Sequence, residues 1–160
     1  MKSEDAVLLK KLLTTHRVLS LAVIEEGLPV LGMVPFVAEP DLSAVLVHVS
    51  RLAPHGRALA DGAPFAILIH GLETGDQNPG EIPRVRFSGA ARHLLSGSAE
   101  YAAERDRYLA SFPDSAVTFT LGDFELYRLP LDNGRLVAGF ARTVNLKAAT
   151  LRRLAEEDAG

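Results

Sequence analysis

Ten consecutive residues, His48-Val49-Ser50-Arg51-Leu52-Ala53-Pro54-His55-Gly56-Arg57, supply a hydroxyl, two guanidinium groups and two imidazoles. Set where a strand ends and a short helix begins, they form an anion pocket. Free N–H groups at a helix start favour a phosphate, Arg51 or Arg57 grips it with paired hydrogen bonds, and Ser50 donates another. The competing reading is a solvated loop with a serine cap. Arg84 and Arg86 stand two residues apart, on one face of a strand, and either reach the same anion or pair with surface acids. Asp123, between Gly122 and Phe124, reads as either a site residue or a turn carboxylate, the turn being preferred.

Other chemistries lack their residues. The five histidines (16, 48, 55, 70 and 93) are never three or four apart, so no metal-binding pair shares a helix face and no metal ligand is assigned. There is no GxSxG elbow, no GxGxxG loop and no Walker lysine. The absence of cysteine removes disulfides, thiolate zinc sites, iron–sulfur clusters and a cysteine nucleophile. No catalytic residue is assigned, and the chemistry falls to other side chains or to a bound cofactor. Thirteen of the seventeen basic residues are arginine, the better bidentate ligand for phosphate and carboxylate. A net charge of −3 argues against a dedicated nucleic-acid binder.

The elements that must position these groups follow from periodicity. Ser3-Glu4-Asp5 opens a helix over about 3–14, whose apolar residues recur at helical spacing. Residues 18–24, 30–37 and 44–50 read as strands joined by short turns, hence an antiparallel meander. A short helical turn over 57–60 precedes a fourth strand over 64–70 and a long loop over 73–83. A fifth strand runs over 84–95, with Gly89 as the expected bend, and Ser98 caps a helix over 99–111. Asp132-Asn133-Gly134 predicts the turn of a last hairpin joining 124–129 to 135–140. A terminal helix follows over about 146–155. The fold class is mainly β with helices, in one domain over 1–160: a six-stranded antiparallel split barrel.

Certain stretches resemble a known family. Arg17-Val18-Leu19-Ser20-Leu21-Ala22, Gly27-Leu28-Pro29, Val34-Pro35-Phe36-Val37-Ala38 and Ser50-Arg51-Leu52-Ala53-Pro54-His55 occur in the order seen in the FMN-binding split-barrel family related to pyridoxamine 5'-phosphate oxidase. So do Arg84-Val85-Arg86-Phe87-Ser88-Gly89, Gly122-Asp123-Phe124-Glu125-Leu126-Tyr127-Arg128-Leu129 and Arg135-Leu136-Val137-Ala138-Gly139-Phe140-Ala141. Together they are most similar to the haem-utilisation branch. The resemblance implies a homodimer with FMN at the interface: Met33, Val34 and Pro35 line the isoalloxazine. Ser50, Leu52 and His55 stand near the ribityl phosphate with Arg51 and Arg57 beside it, and Arg84 contacts the cofactor from the fifth strand. It departs from the branch at Gly56 and Ala58, where Thr and Asn are usual, and has no His after His93 to match a C-terminal iron ligand; Arg142-Thr143-Val144-Asn145 stand there.

The expectation is thus an FMN-dependent oxidoreductase acting on a small molecule. Haem binding or degradation is the first alternative, and a non-enzymatic ligand-binding dimer the second. Apolar residues make up 48% of the chain, and a mean hydropathy of +0.13 suggests more apolar surface than one small core hides. That excess suits an interface of ~2,000 Å² or more between two copies. The acidic start and the lack of an apolar run near ~18 residues lead to the expectation of a cytoplasmic chain that does not engage membranes.

Overall fold

The computed structural model describes residues 1–157. Helix α1 (Ser3–Thr15) carries Glu4 and Asp5 in its first turn, where the helix dipole favours acids, and buries Leu9, Leu12 and Leu13 at helical spacing. Strands β1 (Val18–Glu25) and β2 (Leu28–Ala38) form a hairpin. Its turn residues, Glu26 and Gly27, both have positive φ, the signature of the tight turn that matches strand twist. Then follow β3 (Ala44–Ser50), α2 (Pro54–Ala58), β4 (Pro64–His70), β5 (Arg84–Ala90), β6 (Arg92–Leu94) and α3 (Ala99–Ser111). The chain ends with β7 (Phe124–Pro130), β8 (Asn133–Gly139), β9 (Arg142–Lys147) and α4 (Ala148–Glu156).

The nine strands form one antiparallel sheet in the order β6-β7-β3-β2-β1-β4-β5-β8-β9, where the sequence predicts six. The sheet curls into a half-barrel, so that β5 touches β7 although they are not neighbours. Strand β2 belongs to both halves: through Pro35 it pairs with β1, and Phe36–Ala38 pair with β3.

Two of the nine strands, β6 and β9, arise where the predicted boundaries fail. The long fifth strand breaks at Ala91, not Gly89, because β5 pairs with β4 and β8 whereas β6 crosses to β7. The predicted last hairpin does not form. Strand β7 lies between β3 and β6, and β8 pairs with β5 and with β9, which the periodicity missed. Leu131 is fully buried at the crossing, its N–H donating to the Ser43 carbonyl. Gly134 is a strand residue: a Cβ there would overlap the ring of Phe87 and lie 2.9 Å from the Arg86 carbonyl oxygen. Asn-Gly, the strongest short hairpin signal, is therefore spent on close strand approach.

Alternation sets the core. Leu19, Leu21 and Val23 of β1 face the same interior as Val34, Phe36, Ile67, Val85, Phe87 and Leu136. Strand β3 is buried on both faces. Val45, Val47 and Val49 join the barrel core, while Leu46 packs with Leu94, Leu126 and Tyr108 under α3. Ser98 caps α3 as the sequence predicts, accepting from the Tyr101 N–H.

Among the described residues, no helix covers the outer face of β1, β4 and the Leu28–Pro35 part of β2, whereas α3 packs over the Val37 end of β2. Val18, Ile24, Leu31, Met33 and Leu68 lie exposed there, Met33 and Leu31 by 75% and 72%. Register aligns them in rows: Met33 opposes Ser20, Ser20 opposes Leu68, Leu68 opposes Arg86, and Arg86 opposes Arg135.

Candidate functional site

The predicted anion pocket exists as a place, with its cations already engaged. Ser50 ends β3; its hydroxyl donates to the Asp123 carboxylate and accepts from the Leu52 N–H at 3.1 Å. Arg51 donates to the Gly122 carbonyl at 2.7 Å and lies 3.5 Å from a Glu125 carboxylate oxygen. Arg57 pairs with Glu25 at 2.5 Å. Leu52 contributes only its backbone N–H, and its side chain is exposed. Helix α2 is only five residues long. Gly56 lets it sit tight against the strand end, since a Cβ there would overlap the Ser50 carbonyl oxygen. The absent side chain at Gly56 therefore closes α2 onto β3.

His55 faces away from that anion pocket. Its ring fills the space beside Gly32 of β2, half-buried, and burial pushes the imidazole below its ordinary pKa. Asp123 stands in the turn before β7 and its carboxylate accepts from Ser50; Glu125 and Glu25, which also neutralise the pocket, escape sequence reasoning because they lie tens of residues away and meet it only through strand pairing. His93 belongs to the same group: its Nε2 is 2.9 Å from Glu125, and its ring stacks on Tyr127.

The three β2 positions divide by the pleat. Met33 and Pro35 point outward and are exposed, while Val34 points into the core and is 3% exposed. Val34 therefore cannot meet a ligand on the outer face that Met33 presents.

A second cationic site lies on that outer face. Arg84, Arg86 and Arg135 converge with Leu68 and Val137 around a recess of about 70 Å³. Arg84 donates to the carbonyls of Gly80 and Ile82 at 3.3 and 3.0 Å, and Arg135 to the Thr143 hydroxyl at 3.2 Å. Among the described residues, none of the three pairs with a carboxylate, unlike Arg51, Arg57, Arg92, Arg128 and Arg142. Like charges directly opposite on adjacent strands, as at Arg86 and Arg135, destabilise a sheet, so the cluster suits an anion from outside the chain. The sequence flags Arg84 and Arg86 by spacing; Arg135 joins them only through the β5–β8 register.

The Arg142–Asn145 stretch, where the resemblance led to the expectation of a C-terminal ligand, begins with a side chain engaged elsewhere. Arg142 binds the buried carboxylate of Asp5 and, at 3.3 Å, Glu4, tying β9 to α1. Among the described residues, no group of three or more His, Asp or Glu side chains converges as a metal site.

No protein-family model and no curated protein sequence matches the chain. Solved structures do. A haem-binding protein of Mycobacterium smegmatis is 24% identical over 96% of this chain, with a TM-score of 0.80, and this chain spans 62% of that one. HutZ, the haem storage protein of Vibrio cholerae, is 22% identical over 90% of this chain and 96% of its own, at a TM-score of 0.71. A pyridoxinephosphate oxidase family protein of Clostridium acetobutylicum is 8% identical over 94% and 99% of the two chains, at 0.68. These likenesses agree with the curled sheet: the chain has the split-barrel fold of the pyridoxine phosphate oxidase type.

Proposed function

We propose that the protein binds haem, as a homodimer, on the outer face of its sheet. The observation that carries this reading is the register that runs the exposed apolar strip of Met33 and Leu68 into Arg86 and Arg135, with Arg84 two residues along. A flat apolar macrocycle with two carboxylates matches such a surface: the ring lies on the aliphatic side chains and the carboxylates take paired hydrogen bonds from guanidinium groups. The phosphate of a flavin, expected at Ser50–Arg57, would there compete with Asp123, Glu125 and Glu25 for the Ser50 hydroxyl and both guanidinium groups. The likeness to haem-binding and haem-storage proteins supports the same choice.

Haem, once bound, supplies redox-active iron. The chain's own part is to hold the carboxylates, orient the ring and keep water from it. A second copy laid on the same face supplies the cover, since Leu31, Met33 and Ile24 otherwise leave a contiguous apolar patch in water. The other reading is FMN on this same face, its phosphate among Arg84, Arg86 and Arg135; three unpaired guanidinium groups favour it as much as they favour carboxylates.

Addition of haemin and of FMN, separately, to purified protein distinguishes them. The expected result is a protein-bound Soret band near ~400 nm with haemin, weakened in Arg86→Glu and Arg135→Glu, and no bound flavin band near ~450 nm. Tight FMN binding without haemin binding would overturn the haem reading and establish the flavin one.

A further inference from the structure

We infer that His70 would hold the haem iron through its Nε2, an assignment that rests on the haem reading above. His70 closes β4 and is exposed on the outer face, two residues beyond Leu68. Across the β4–β5 ladder it stands directly opposite Arg84, and Arg86 is its diagonal neighbour at ~7–8 Å. The imidazole therefore projects from the same surface as the arginine cluster, a side-chain length from the groups that would hold the carboxylates.

The ring is also prepared as a ligand. Its Nδ1 lies 2.8 Å from the carbonyl oxygen of Gly71. A carbonyl can only accept, so Nδ1 carries the proton, and in the neutral ring the lone pair is left on Nε2. Donation of the second ring N–H to a backbone carbonyl is the usual support of a metal-bound histidine, fixing both tautomer and orientation. Gly71 is itself held, its N–H donating to the Pro83 carbonyl at 2.8 Å.

Three of the other four histidines are engaged elsewhere, and the fourth, His16, closes α1. His48 is buried, stacked on Phe119 with ring centroids 3.7 Å apart and bonded to the Thr118 hydroxyl. His93 gives Nε2 to Glu125. His55 fills the space beside Gly32, and the Nδ1 of His16 is buried at the end of α1. Met33 is the remaining outer-face side chain with a soft donor, but no hydrogen bond orients its thioether.

The test is a haemin titration of wild type, His70→Ala and His55→Ala, followed by absorbance and by electron paramagnetic resonance of the ferric complex. Wild type and His55→Ala should give one histidine-ligated spectrum. His70→Ala, folded by circular dichroism, should lose that spectrum and bind haemin at least the ~10–100-fold more weakly that loss of even a supporting partner costs a metal site. Added imidazole should restore the spectrum in His70→Ala. A His70→Ala spectrum identical to wild type, with haemin still bound by both, overturns the ligand assignment alone. Failure of the wild type to bind haemin removes the haem reading and the assignment with it.

Discussion

The imidazole of His55 occupies the space in which a side chain at Gly32 would begin. The contact docks α2, which is barely more than one turn long, onto β2 at the barrel end, and it explains a glycine in the middle of an eleven-residue strand. Gly32→Ala must push the ring aside and is expected to cost about 1–3 kcal/mol by overpacking. Gly32→Ala combined with His55→Ala should recover most of that loss. Urea unfolding of both single variants and the double gives the coupling, and additive losses would contradict the contact.

A second close approach is less forgiving. At Gly134 the neighbours of an added methyl are the fully buried Phe87 ring and the Arg86 backbone carbonyl, neither of which has room to yield. Gly134→Ala is expected to destabilise by about 3 kcal/mol or more, more than Gly32→Ala, because strand β5 itself must shift. Thermal denaturation of the two variants side by side measures the difference.

His48 makes stability fall in acid. Burial against Phe119 and Tyr108 holds its pKa down at about 4, the Glu125 charge opposing only in part. The unfolded chain takes up this proton near pH 6.5 and the folded chain only near 4, so in that window the unfolded state binds more protons. Stability from this group is complete above about pH 6.5 and drains away as pH falls to about 4, by ~3 kcal/mol. His48→Phe, which keeps an aromatic stack on Phe119, should flatten that part of the pH profile in chemical denaturation. An unchanged acid limb would show that other groups set it.

The exposed strip on β1, β2 and β4 predicts self-association. Met33→Asp places a carboxylate at the apolar end of the row shared with Ser20 and Leu68 without touching the barrel core. The wild type should elute as a dimer at micromolar concentration, and Met33→Asp as a folded monomer. A wild-type monomer at every concentration would remove the homodimer from the proposed function.

By itself the sequence determined the local elements. Strand alternation, the Ser98 cap and the short connections of the first meander are written in neighbouring residues, and they point to an antiparallel split barrel with flanking helices. Motif order pointed to the fold type as well. Strand number was not legible, because β6 and β9 are short pieces defined by their partners across the sheet. Nor could Asn133-Gly134 reveal that its glycine serves Phe87, a residue 47 positions away. The site divides in the same way. Arg51, Arg57 and Ser50 were visible as a cluster of donors, yet the acids that neutralise them arrive from β1 and from the start of β7. Arg84 and Arg86 were visible by spacing, and only the ladder added Arg135 and set His70 beside them. Local pattern fixes which face a side chain takes, because the strand period is two. Which charges then meet across that face is decided by register, a long-range property that only the folded sheet holds.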